Sequence, residues 1–194
     1  MNNNVIRCVI LGDTCIGKSY LCNILTHKSV DVNTYYEPTV GVEVNLVKIK
    51  INNIEIKLFF FDCSGNQKYS KIIESYLNHV DIFIVVFDER KVFSILGAEY
   101  YLNTQLKPYI NRDTFIVLIN NSSTVINNPY KKKYNPNILK LIQKHNPIYI
   151  EINLKFATQK ILLNYLEGPI MTICYKKSLV KIPIEVDTHC CFFR

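Results

Sequence analysis

The sequence predicts an α/β fold, a three-layer domain in which a mostly parallel sheet of about six strands has helices on both faces and one antiparallel hairpin strand. The continuous apolar runs "DIFIVVFD" (81–88) and "TFIVLIN" (114–120) are typical of parallel strands covered on both faces. The run "VEVNLVKIKI" (42–51) alternates apolar and polar residues, as a half-exposed strand does. Helical segments separate most strand-like runs, which parallel crossover connections require.

In the first part of the chain, "VIRCVIL" (5–11) reads as a buried strand, and a helix follows it from about residue 18. The half-exposed strand 42–51 meets two asparagines, Asn52 and Asn53, which favour a turn. The apolar segment 54–62 follows this turn, so we expect a hairpin here.

In the second part, residues 91–110 read as the crossover helix between the two buried runs. A loop rich in Lys, Asn and Pro (120–137) precedes a short helix, a strand at 148–152 and a helix at 156–167. We therefore expect one domain over residues 1–168 and a C-terminal tail over 169–194.

Composition places the chain among compact cytosolic proteins. It has 194 residues, 48% of them hydrophobic, and a net charge of +7 that comes mostly from lysine. This charge gives a weak attraction to acidic membrane surfaces, and we expect no nucleic-acid partner. The seven cysteines lack a paired pattern apart from two adjacent ones near the end, so we expect reduced thiols. No signal peptide is visible, and no apolar run approaches the roughly 18 residues of a membrane span.

The segment "GDTCIGKS" (12–19) matches a phosphate-binding loop, because it follows a strand and opens a helix. Gly12 and Gly17 let the backbone wrap closely, so its N–H groups and the helix N-terminus face a phosphate chain. Lys18 would neutralise the β and γ phosphates, and the Ser19 hydroxyl would bind Mg²⁺. A chance match in a glycine-containing turn is the alternative. The remaining candidate nucleotide contacts here are Asp13, Thr14, Cys15, Ile16 and Tyr20.

With this loop in place, the chain resembles the Ras superfamily, and most closely its Rab branch, from about Val5 to Gly168. "YYEPTVGVEV" (35–44) looks like switch I, where Thr39 would bind Mg²⁺ and sense the γ-phosphate. Asp62 matches the aspartate that holds Mg²⁺ through water, and Gly65 the glycine that contacts the γ-phosphate. The resemblance implies GTP/GDP and Mg²⁺ as cofactors, and switch segments at 31–43 and 63–79.

Departures from the Rab pattern lie on the base-binding side. Asn121 matches the asparagine of the guanine motif, but Ser122 stands at its lysine and Thr124 at its aspartate. Threonine cannot replace the charge-assisted pair of bonds that a carboxylate makes to guanine. Of the motif that shields the base, only the lysine is kept, as Lys155, and the residue nearest the usual stacking aromatic is Val30. Two readings stay open: a diverged guanine pocket that still works, or relaxed base selectivity. Cys15, similarly, is either a tolerated small side chain or a redox site.

Asn66 matches the catalytic glutamine that orients the attacking water in the family. Asparagine is one methylene shorter, about 1.5 Å of lost reach, and a misplacement of ~1 Å can cost ~10²-fold in rate. We therefore expect slow intrinsic hydrolysis unless an activating partner supplies the missing group. Gln67 is one residue late for this role and would need a shifted backbone.

Two adjacent cysteines, Cys190 and Cys191, lie close to the end of the sequence. Rab proteins commonly carry such a pair for prenylation, and two lipids give stable anchoring where one is marginal. A metal site that includes His189 is the rival, but the tail has no second ligand cluster. We expect lipidation at the two cysteines.

The function that this resemblance implies is a Rab-like small GTPase that acts as a membrane-trafficking switch. It would be a monomer on the cytosolic face of endomembranes, with effector proteins and exchange and activating factors as partners. The first alternative is a pseudo-GTPase that serves as a binding module. The second is a nucleoside or nucleotide kinase, which would need an arginine-bearing lid, and the four arginines do not cluster.

Overall fold

A computed structural model describes residues 4–27, 37–51, 53–122 and 135–177. Its sheet has six strands in the order β2-β3-β1-β4-β5-β6. Among these strands β2 and β3 pair antiparallel, and the other neighbours pair parallel. The predicted fold class is therefore confirmed. The strands are β1 Val5–Leu11, β2 Val42–Ile51, β3 Ile54–Cys63, β4 Ile82–Phe87, β5 Phe115–Asn121 and β6 Ile148–Ile152.

Helices cover both faces of the sheet and form two hydrophobic clusters. One cluster joins the first and last helices to one face, and the other joins the middle three to the opposite face. Each buried strand contributes alternate residues to the two clusters, as the apolar runs predict. The helices are α1 Lys18–Leu25, α2 Ser70–Glu74, α3 Val92–Tyr100, α4 Pro136–His145 and α5 Gln159–Lys176.

Two helices differ from the sequence-based expectation. The crossover helix predicted over 91–110 ends as α3 at Tyr100 and continues in a π-helical turn, Tyr101–Gln105. The last helix was expected at 156–167 but runs to Lys176 and contains Pro169. A proline disfavours a helix interior, but Ile170, Ile173 and Cys174 are all buried in the core, and this packing outweighs it. Residues 169–176, expected as tail, are thus helical.

The strand order reverses beside β1, which positions the candidate site. The chain leaves β1 through α1 to β2 and β3 on one side, and then crosses to β4 on the other side of β1. Ligands of open α/β sheets bind outside the carboxyl ends of the strands at such a point. The loop 12–17 follows β1 there, so the phosphate-loop motif lies where the topology expects a site.

Candidate functional site

The loop between β1 and α1 has the backbone shape that its sequence requires. Gly17 immediately precedes α1 at φ 98°, a left-handed conformation that favours glycine. Cys15 also has a positive φ, 58°, which is strained for a residue with a side chain. Strain of this kind collects at functional sites. The far end of the loop is tied to the π-helical turn, because the Tyr101 hydroxyl donates to the Gly12 carbonyl at 3.3 Å.

Lys18 lies folded over this loop. Its side chain is buried, and Nζ donates to the Asp13 carbonyl at 2.6 Å. Burial lowers the pKa of the Lys18 ammonium, and the charges of Asp62 and Asp13 oppose that shift. The loop therefore holds a cation at its centre with no described carboxylate in ion-pair contact, which is the arrangement an anionic ligand needs.

Three oxygen-bearing side chains meet next to Lys18. Ser19 Oγ and Thr39 Oγ1 lie 2.9 Å apart and share a hydrogen bond, and Thr39 Oγ1 donates to Asp62 Oδ2 at 3.3 Å. Asp62 is the next-to-last residue of β3, in the buried end of that strand, and is 1% exposed. Burial raises its pKa, and hydrogen bonds from the two hydroxyl groups and the charge of Lys18 oppose this only in part. The structure thus brings the three residues predicted as metal ligands together.

These side chains fit a magnesium ion. Asp62 Oδ1 is buried and has no hydrogen-bond partner among the described residues. Such a carboxylate oxygen is costly to bury unless something binds it. Mg²⁺ prefers oxygen ligands, uses one or two carboxylates and keeps several waters. A carboxylate beside two hydroxyls is that kind of donor set.

The segment after β3 packs against the phosphate loop. A Cβ at Gly65 would overlap the backbone of Asp13 and Thr14, so only glycine allows this approach. Asn66 is exposed, and its Oδ1 accepts a hydrogen bond from the Lys68 amide at 3.0 Å. The Asn66 side chain therefore caps the short 3₁₀ turn Gln67–Tyr69. Gln67, on this turn, is also exposed.

On the base-binding side, Asn121 connects two loops. Its Nδ2 donates to the Ile16 carbonyl at 3.0 Å, and its Oδ1 accepts from the Leu154 amide at 3.3 Å. Ser122, at the position of the family lysine, is buried, and its amide donates to the Ile152 carbonyl at 3.1 Å. The backbone of Lys155 is fixed by the Asn153 side chain at 3.0 Å, and its own side chain is exposed. Thr124 and Val30 lie outside the described residues.

A cavity of about 560 Å³ opens on this side. It contains residues that the sequence did not single out. Arg90 Nε and Nη2 donate to Asp88 at 2.8 and 2.6 Å. Burial alone would raise the pKa of Asp88, but these bonds lower it. Phe156 is also unexpected here. The only sequence feature that points to it is its position directly after Lys155. The lining residues include Cys15, Ile16, Gly17, Tyr20, Asp88, Arg90, Lys91, Asn121, Lys155 and Phe156.

The tail residues His189, Cys190 and Cys191 lie outside the described part of the chain. Within that part, no helix is both long and apolar enough to cross a bilayer.

The sequence model of the Ras family matches residues 7–166. Three similar proteins illustrate the match. The GTP-binding protein YPT53 of Saccharomyces cerevisiae is 25% identical over 154 residues, which are 77% of this chain and 69% of that protein. The Ras-related protein Rab-18-B of Danio rerio is 26% identical over 151 residues, 77% of this chain and 71% of that one. The Ras-related protein Rab-11B of Dictyostelium discoideum is 30% identical over 117 residues.

The Rab-11B match covers 60% of this chain and 52% of that protein, so the chain spans about half of its length.

Proposed function

The chain belongs to the Ras family and is Rab-like, and on that premise we propose that it binds GTP and GDP with Mg²⁺ and acts as a membrane-trafficking switch. The single observation that carries the proposal is the meeting of Ser19, Thr39 and Asp62 around an unpartnered, buried carboxylate oxygen. The buried cation of Lys18 lies beside them. No structural role within the described residues accounts for a buried carboxylate left in this state.

The phosphate loop supplies most of the binding free energy in this proposal. Lys18 exchanges its bond to the Asp13 carbonyl for the β and γ phosphates, and the amides of the loop and of α1 donate to their oxygens. Ser19, Thr39 and Asp62 would hold magnesium, which would supply positive charge to neutralise these phosphates. Thr39 then joins its segment to the γ-phosphate.

The switch is read by partners in this proposal. Four apolar side chains around Thr39 and α2 are exposed, and exposed apolar patches of this kind mark protein interaction sites. Two of them lie on β2, one lies next to Thr39 and one lies on α2, so this surface would change when Thr39 and Gly65 bind the γ-phosphate. The residues are Val40, Val44, Leu46 and Ile72. Effector proteins and exchange factors are the partners expected here.

Hydrolysis is slow in this proposal. The Asn66 oxygen accepts from the Lys68 amide, and this bond holds the side chain on the following turn, so reaching the attacking water competes with it. An activating partner would then be needed for turnover. The same observation favours a second candidate, a pseudo-GTPase that binds nucleotide and partners but does not hydrolyse.

Membrane attachment would come from the tail. We expect the double variant Cys190→Ser/Cys191→Ser to leave the membrane fraction in cells that carry the lipidation machinery, since two lipids are needed for stable anchoring. The single variant Cys174→Ser, at a buried cysteine of α5, is the control. A double variant that fractionates as the wild type does would contradict lipidation.

The experiment that tests the proposal is identification of the nucleotide that the purified full chain releases on denaturation. It is paired with titration of GDP and GTP in the presence and absence of Mg²⁺. We expect a co-purified guanine nucleotide and a large gain in affinity with Mg²⁺. A chain that binds neither nucleotide with Mg²⁺ present would refute the proposal. GTP binding with no hydrolysis, even with activating proteins, would favour the second candidate.

A further inference from the structure

Phe156 is 73% exposed at the edge of the phosphate-loop cavity. Exposure of a large aromatic side chain forgoes roughly 1.5–3 kcal/mol of burial free energy. A bound ligand that covered the ring would recover part of it. The short turn Leu154–Phe156 fixes its backbone, because the Phe156 amide donates to the Asn153 carbonyl at 3.0 Å.

The position of this turn depends on the phosphate loop itself. Asn121 donates to the Ile16 carbonyl and accepts from the Leu154 amide, so one side chain connects the loop to the turn. A ligand whose phosphates lie in the loop would therefore find the ring of Phe156 in a fixed place at the rim of the same cavity. Tyr20 contributes a second aromatic ring to the lining.

The described lining offers no free carboxylate for the edge of guanine. Asp88 is the one carboxylate among the described residues that line the cavity. Both of its oxygens already accept from the forked guanidinium of Arg90, at 2.8 and 2.6 Å. Arg90 and Lys91 are cations, and Lys91 Nζ donates to the Cys15 carbonyl at 3.3 Å. The cavity thus combines positive charge with one exposed aromatic ring, Phe156, and one half-buried ring, Tyr20.

We propose that Phe156 is the stacking surface for a purine base, so that this site recognises the face of the base instead of its edge. The inference rests on the proposed nucleotide binding and names how that site selects its ligand. Stacking depends on the area of the ring system and accepts any base, with a preference set by stacking strength. The ligand class is therefore purine nucleotides, with adenine and guanine bound similarly and pyrimidines bound less well.

The first test measures affinity of the full chain for GDP, ADP, UDP and inorganic pyrophosphate, each with Mg²⁺. Phe156→Ala should weaken GDP and ADP by between about fivefold and a hundredfold, the range measured for base–aromatic stacking. Pyrophosphate has no base, so its affinity should stay unchanged. Phe156→Tyr keeps an aromatic face and should bind as the wild type does, whereas Phe156→Leu should lose affinity as the alanine variant does.

A second test reports contact directly. The chain contains no tryptophan, so Phe156→Trp places a single indole at the proposed stacking position. GDP should change its emission strongly, because a stacked base lies on the ring, and pyrophosphate should not. Tyr165→Trp, on α5 and 45% exposed in the wild type, is the control and should respond to neither ligand.

The outcomes separate the inference from its premise. Wild-type chain that binds GDP while Phe156→Ala binds it equally well would overturn stacking alone. Equal loss of GDP and pyrophosphate binding in Phe156→Ala would also overturn it, since the residue would then act on the loop. Wild-type chain that binds neither ligand would overturn both the stacking and the proposed function.

Discussion

On the phosphate side of the site, Ser19, Thr39 and Asp62 bond to one another, and Asp62 Oδ1 has no hydrogen-bond partner within the described ranges. On the base side, the Asn121 side chain bonds to the Ile16 carbonyl and the Leu154 amide, and Arg90 donates to both carboxylate oxygens of Asp88. The phosphate side therefore has a carboxylate oxygen available to a ligand. On the base side, the side chains of Asn121 and Asp88 are already paired, and the ring of Phe156 is exposed. Phosphates and magnesium demand fixed donors, but a base can be held by its edge or by its face. One half of such a site can therefore diverge while the other is kept.

The largest effect is expected from removing the central charge of the phosphate side. Lys18→Ala should weaken GDP binding by about thirtyfold or more, because loss of a buried partner of a charge costs about 2–5 kcal/mol. Isothermal titration with Mg²⁺ measures this. Lys160→Ala, at an exposed position on α5, is the matched control and should bind normally. Unchanged GDP affinity in Lys18→Ala would contradict phosphate binding by this loop.

The base side should respond to a restored carboxylate. Wild-type chain, with Thr124 at the aspartate position, should prefer GTP over ATP only weakly. Thr124→Asp should raise that preference between about fivefold and a hundredfold, since a well-placed pair of bonds to a base edge discriminates by roughly 1–3 kcal/mol.

Competition of ATP against labelled GDP gives the ratio for both proteins. Thr124→Ser keeps a hydroxyl without the charge and should behave as the wild type. Strong GTP preference in the wild type, with no competition from excess ATP, would mean that unpredicted contacts read the guanine edge.

Melting temperatures with and without Mg²⁺ should show that Asp62 destabilises the metal-free chain and binds the metal. Without Mg²⁺, Asp62→Asn should raise the melting temperature by about 2–4 °C, because it removes the buried unpaired carboxylate at a gain of about 1 kcal/mol. With Mg²⁺ and GDP the same variant should melt lower than the wild type, since it has lost its metal partner. Asp113→Asn, at an exposed carboxylate paired with Lys176, should change neither value.

The pH dependence follows from the raised pKa of Asp62. A raised pKa in the folded chain means that the protonated carboxyl is favoured there. Its stabilising contribution is present below the ordinary pKa of 3.8 and is lost as the pH rises through the raised value. Metal-free wild type should therefore lose stability over that window relative to Asp62→Asn. If the stabilities of the two proteins change equally with pH over this range, burial does not raise the pKa of Asp62.

The strands could be predicted from the sequence to within about one residue, because apolar runs and alternation report burial directly. Helix ends could not. Pro169 reads as a stop, but tertiary packing of Ile170 and Ile173 carries α5 past it. The phosphate side was predictable because its residues are close in sequence or match a known motif. Phe156 was not, because its place beside the loop depends on the bond from Asn121 to Leu154, which only the folded chain shows.

The last prediction concerns Asn66, which stands at the position of the family's catalytic glutamine. In the structure its oxygen accepts from the Lys68 amide at 3.0 Å and caps the following turn. A glutamine here is one methylene longer and has no such short-range cap, so its amide is free to reach the attacking water. Asn66→Gln should raise the single-turnover rate of GTP hydrolysis by about tenfold, less than the ~10² that a full ångström of misplacement can cost. GTP affinity should barely change, because the group contributes mainly in the transition state.

Gln67→Ala should leave the wild-type rate intact. If the rate falls in Gln67→Ala and not in Asn66→Ala, the turn is shifted and Gln67 orients the water instead.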